Sequence, residues 1–157
     1  MASRRRARAF ALQALYHADL CEGSVASSLN DLWSILMDGD GVEGERPPES
    51  AEVEFASRLA RGAEERQARL DALIEECSTN WRLVRMPVVD RNILRLAAFE
   101  LDGCPDIPAS VSVNEAVELA KTFGGSDSRA FVNGIVDRMG RQLGRLERRG
   151  GKRGKGE

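Results

Sequence analysis

The chain has 157 residues, and its net charge of −2 hides a segregation: residues 1–18 carry +4, residues 141–157 carry +5, and the stretch between carries −11. This length fits one domain, and 42% hydrophobic with 31% charged residues is the balance of a soluble globular protein. No apolar run reaches the roughly 18 residues a membrane span needs. Polar Gln13, His17 and Asp19 interrupt any signal-peptide core, and Cys21, Cys77 and Cys104 form neither a CxxC pair nor a zinc pattern, so a cytoplasmic protein with reduced thiols is expected.

Helical periodicity runs through the chain. In residues 4–19, Ala7, Phe10, Ala11, Ala14, Leu15 and Ala18 paint one face, and Cys21-Glu22-Gly23 stops the helix. A short second helix turns Leu29, Leu32, Trp33 and Leu36 inward, with Ser28 and Asp31 spaced as a capping box. Residues 38–50 hold three glycines, two prolines and five acids, and are expected to be a flexible acidic loop. Pro47-Pro48 stands where a helix begins. Residues 49–77 read as one long helix. Asn80 caps a short turn over 81–86, which Pro87 ends. Further helices are predicted over 88–101 and 112–123, separated by Asp102-Gly103 and two prolines. After Gly124-Gly125, Ser126 or Asp127 caps a last helix carrying Phe131, Val132, Ile135, Val136, Met139, Leu143 and Leu146. The Gly/Lys/Arg stretch 148–157 is expected to be a disordered basic tail. No segment alternates like a strand. The fold class is all-α, with about seven helices in a single domain over 1–147.

No catalytic set emerges. His17 stands alone, the pairs Glu64-Glu65 and Glu75-Glu76 are adjacent on helices and so diverge, and no phosphate-cradling glycine loop occurs. The chain is not expected to be an enzyme or to hold a metal or cofactor. Arg4, Arg5, Arg6 and Arg8 form a cationic end on an acidic body, which suits a polyanion, nucleic acid foremost; a solvated, frayed terminus is the plain alternative.

Two stretches carry a family resemblance: RRRARAFALQALYHADL at the start, and VDRNILRLAAFEL followed by DIPASVSVNEAVELAKTFGGSDSRAFVNGIVDRM. Together they resemble the NusB family of transcription antitermination factors, over roughly residues 4–139. The resemblance implies two small helical bundles packed together and no enzymatic activity. It implies binding of a single-stranded boxA-type element in ribosomal RNA transcripts, jointly with NusE, a small-subunit ribosomal protein. It also implies joining the RNA polymerase antitermination complex. The same fold occurs as an N-terminal protein-interaction domain of some ribosomal RNA cytosine methyltransferases, which need a further Rossmann-type domain that 157 residues are not expected to hold. A purely structural homo-oligomer, a homodimer for instance, whose basic arm is incidental stays open as a third possibility.

In that reading Arg4, Arg5, Arg6 and Arg8 hold phosphates by charge and bidentate forks, giving a log–log salt slope of roughly −3 for about four contacts. Tyr16, Phe123 and Phe131 are the candidates for base stacking, Phe131 competing with plain core packing and Tyr16 with a partner or core contact. Lys121 and Arg129 add charge near Phe123, unless they are ordinary surface cations. Asp127 either caps the last helix or accepts from base amino groups; Asp127→Asn is expected to tighten RNA binding by removing repulsion. Asp90, Arg91 and Glu100 are the candidates for meeting the basic partner protein, against a plain solvent face.

Overall fold

The structure, a computed structural model, describes residues 1–38 and 46–147. Among these the chain forms seven α-helices, one 3-10 turn and no strand: α1 Arg4–Cys21, α2 Val25–Met37, α3 Ser50–Glu65, α4 Gln67–Cys77, the turn Leu83–Arg85, α5 Val88–Gly103, α6 Ala109–Phe123 and α7 Ser128–Gln142. The all-α expectation is met. Residues 39–45 of the expected acidic loop, and the expected basic tail at 148–157, lie outside the described residues.

Helix ends differ from the sequence reading where side chains compete for a cap. Ser24, not Ser28, opens α2 by accepting from the Ser27 N–H at 3.1 Å. Ser28 is buried inside the helix, its hydroxyl 2.9 Å from His17 Nδ1. The capping box lies instead at the start of α3, where Glu49 and Glu52 satisfy each other's backbone N–H groups. Asn80 caps nothing; the turn before α5 is held by the Glu75 carboxylate, which accepts from the Leu83 N–H at 3.0 Å. The last helix ends at Gln142, and Gly144, at φ 71, carries the chain back so that Leu146 packs against Gly140.

The long helix expected over 49–77 is two. The apolar stripe of α3 ends at Ala63 and that of α4 starts at Leu70, and residues 64–69 are all exposed. With no buried side chain to hold the axis straight, the helix breaks at Arg66 (φ −104, ψ 15).

α1, α2 and α3 pack on one another, α4, α6 and α7 gather on the far side, and α5 runs between the two groups, touching α1, α3, α4, α6 and α7. Eleven of the sixteen residues of α5 are buried, which makes it the central post of two joined bundles. Its crossing with α3 depends on Gly62: a Cβ there would come within 2.1 Å of the Phe99 ring.

Candidate nucleic-acid interface

Ser3 caps α1 by accepting from the Arg6 N–H at 3.1 Å, so the arginine cluster is helical from its first member. At 100° per residue, arginines at positions 4, 5, 6 and 8 cannot share one environment. Arg4 is exposed and lies over the Phe55 ring, 4.3 Å from its centroid. Arg5, two-thirds exposed, forks onto Glu115 of α6 at 2.8 and 3.1 Å. That bond holds the Glu115 carboxyl below its usual range. Arg6 is mostly covered and pairs with Glu52 at 3.0 Å. Glu52 is a buried hub, accepting also from the Ser3 and Glu49 N–H groups and from Arg46, whose forked hydrogen bond is the main reason its carboxyl stays well below the ordinary value. Arg46, within the segment read as a flexible loop, is thereby tied to α3.

Arg8 departs from the expectation. Its guanidinium is buried and forks onto buried Glu100 of α5, both bonds 2.8 Å, with the Ser112 hydroxyl donating to the same carboxylate at 2.8 Å. Neither Arg8 nor Glu100 is presented to RNA or to a partner protein in this fold. Asp90 is likewise buried. It accepts from the Ser128 hydroxyl at 2.7 Å, and burial pushes its carboxyl upward in pKa, only partly offset by that bond. Arg91 keeps some exposure but forks onto Asp19 at 2.7 and 2.8 Å. The physical reason is the same for Asp90 and Glu100: α5 is packed on all sides, so its polar stripe faces other helices and not solvent.

The groups that remain accessible converge. A groove of about 350 Å³ between α1 and α6 is lined by Arg5, Arg6, Ala9, Glu115, Thr122 and Phe123. Beyond Phe123 a second cavity, of about 560 Å³, is bounded by Trp81, Val89, Asp90, Phe123, Ser128 and Phe131 and by the loop joining α6 to α7. Phe123 belongs to both and is 40% exposed. Phe131 combines its two readings: it packs on the core and also lines the second cavity, edge-on to Trp81. Lys121 and Arg129 are exposed at the adjoining ends of α6 and α7, Lys121 pairing with Glu118 at 3.6 Å. Tyr16 is exposed on the stripe of α1 that carries Arg5, three turns further on, or about 16 Å.

Asp127 stands at the N-cap position of α7 and its side chain makes no capping bond, so the sequence reading of it as a cap is not met. Ser128 closes the loop instead: its hydroxyl accepts from the Gly125 N–H at 2.9 Å and donates a hydrogen bond to Asp90. The Asp127 carboxylate is exposed on the rim of the second cavity.

Sequence reasoning missed Trp81 and Glu115. Trp81 is one of only eight aromatic residues and stands between α4 and the turn Leu83–Arg85, outside any apolar stripe, and that isolation was the available signal. Glu115 lies in NEAVELAK and carried none, since its role depends on the register of α6 against α1.

The chain matches the model of the NusB family over residues 5–141. The chain belongs to the NusB family. It is 46% identical over 139 residues to the transcription antitermination protein NusB of Myxococcus xanthus (strain DK1622), covering 88% of this chain and 95% of that protein. It is 47% identical over 140 residues to that of Geotalea uraniireducens (strain Rf4), covering 88% and 94%. Among solved structures, T. maritima NusB superposes with a TM-score of 0.77 at 35% identity, over 90% of this chain and 94% of that one. A chain in the crystal structure of the antitermination factors NusB and NusE in complex with dsRNA shares the fold, with a TM-score of 0.74 at 22% identity over 88% and 96%.

Proposed function

We propose that this member of the NusB family is an RNA-binding transcription antitermination factor and not an enzyme. It takes a single-stranded boxA-type element of ribosomal RNA transcripts together with NusE, within the RNA polymerase antitermination complex in the cytoplasm. The observation that carries the reading is that Arg5, Arg6 and Phe123 line one groove and Phe123, Asp127 and Phe131 border the next, so one strand can run from cations to rings. Phosphate contacts give grip, and stacked, splayed bases give sequence preference. The names of the relatives support the antitermination role, and the neighbour crystallised with NusE and dsRNA supports the two partners. The M. xanthus relative is covered over 95% of its length, which favours this reading over an interaction domain of a methyltransferase. No helix among the described residues is long and apolar enough to cross a membrane.

With Arg8 buried and Arg6 mostly covered against Glu52, the arm offers Arg4 and Arg5 first, and their share of the log–log salt slope is roughly −1.4 at about −0.7 per phosphate. Of the residues expected to meet NusE, Arg91 is the one that keeps exposure. The test is a titration of a labelled boxA-type strand and a scrambled strand, with and without NusE, at several salt concentrations. Preference for the boxA-type strand, tightened by NusE, is the expected result. Equal affinity for both strands would overturn the sequence-specific reading.

A further inference from the structure

The cavity beyond Phe123 is unusual in what lines it. Three of the eight aromatic side chains of the protein, Trp81, Phe123 and Phe131, meet there from three separate segments: the stretch before α5, the end of α6 and the first turn of α7. Such convergence normally builds a core, yet Trp81 is 50% exposed and Phe123 40% exposed. Trp81 meets Phe131 edge-on, with centroids 6.4 Å apart and planes at 82°, an arrangement that fixes the indole without covering it. The enclosed space, about 560 Å³, lies within the range of about 300–1,000 Å³ that holds a small molecule or a single flat group.

We propose that this cavity receives one unstacked base of the bound RNA strand, with Trp81 as a stacking platform. The inference rests on the RNA-binding reading above and adds to it a residue and a place. Continuity argues for the occupant. Phe123 is a wall of both the groove beside Arg5 and this cavity, so a strand with a phosphate on Arg5 meets the aromatic opening next. Lys121 and Arg129, exposed on either side of the loop between α6 and α7, supply positive charge for the flanking phosphates. An apolar side chain of a protein partner would fill the same space but would make no use of the exposed cations at its edge, Arg129 and the Lys121 that Glu118 holds at 3.6 Å. Aromatic platforms accept any base because every base has a π-face, and the indole offers the largest surface.

The experiment uses the full chain and a boxA-type strand in which 2-aminopurine replaces one base at a time. Fluorescence anisotropy reports overall binding, and 2-aminopurine emission reports stacking. One position should be quenched on the wild-type protein and recover on Trp81→Ala, with affinity falling roughly 5- to 100-fold, as expected for loss of one stack. Trp81→Phe should keep most of the quenching, which separates stacking from any disturbance of the fold. If Trp81→Ala binds the strand as tightly as wild type and no position is quenched, the inference is overturned while the RNA-binding reading stands. If Trp81→Ala keeps its RNA affinity but loses the tightening by NusE, the cavity belongs to the protein partner and the inference is likewise overturned. If the wild type shows no preference for the boxA-type strand, the RNA-binding reading fails, and this inference with it.

Discussion

Arg5 and Arg8 lie three positions apart on α1 and reach opposite fates. Arg5 points along the groove, paired with Glu115 but largely in water; Arg8 is sealed under the helix against Glu100 and Ser112. Their substitutions should separate cleanly. Arg5→Ala should leave urea unfolding unchanged, since exposed pairs contribute little, and should weaken RNA binding while making the salt slope shallower by about 0.7. Arg8→Ala should cost about 3–5 kcal/mol of stability, because a buried carboxylate is left without its cation. Chemical denaturation and RNA titration of both variants check this; an Arg8→Ala protein as stable as wild type would contradict the burial argument. The sequence showed a cluster of four cations but not this division: Arg8 shares a stripe with Ala11, Leu12 and Leu15, and what buries it is Glu100 of α5, a partner that the spacing along α1 does not reveal. Phe123 was legible because the glycine pair after it marks a helix end, where a ring has little to pack against. Asp127 holds the N-cap position that the sequence assigns it, but its side chain makes no capping bond, and the loop before α7 is closed by Ser128, which accepts from the Gly125 N–H.

Elements were legible wherever a run of apolar residues met a strong stop, as at Gly124-Gly125 or the prolines after α5. The break between α3 and α4 had no such stop; it arises from six consecutive exposed residues, a signal of missing burial and not of a breaking residue. α3 holds a second feature with a measurable consequence. In an exposed helix, Gly→Ala gains about 1 kcal/mol. At Gly62 the added methyl would meet the Phe99 ring at 2.1 Å, on two packed helices. Gly62→Ala should therefore destabilise, by about 1–3 kcal/mol as for other overpacked sites. The double variant Gly62→Ala with Phe99→Leu should recover part of that loss. Urea midpoints of the three proteins decide it: a stabilised Gly62→Ala would mean that α3 and α5 can move apart at no cost.

At the scale of the whole molecule, the acidic body reads from sequence as a solvated or partner-facing surface, whereas much of it is internal wiring. α5 joins the two bundles through ions that a single sequence cannot pair: Arg8 of α1 to Glu100, Arg91 and Arg95 to Asp19, and Arg95 onward to Asp71 of α4. Asp19 accepts from Arg91, Asn92 and Arg95, and its carboxyl is lowered from 3.8 to about 2, chiefly by the Arg91 bond and against the cost of burial. Its folded-state value lies below the unfolded one, so the native protein binds fewer protons, and the stabilisation is present above about pH 4 and lost as pH falls toward 2. Glu115 and Asp102 are shifted the same way by Arg5 and Arg69, so the joint between bundles and the pairing on its flanks weaken together in acid. Asp19→Asn should cost about 1 kcal/mol at pH 7, after allowing for solvent around a partly exposed pair. That deficit should shrink steadily between pH 4 and pH 2, where the wild-type carboxylate also takes up its proton. Urea midpoints of the two proteins measured at pH 7, 4 and 2.5 test the argument. A deficit that stays constant down to pH 2.5 would mean that the shape of the side chain, and not its charge, secures α1 to α5.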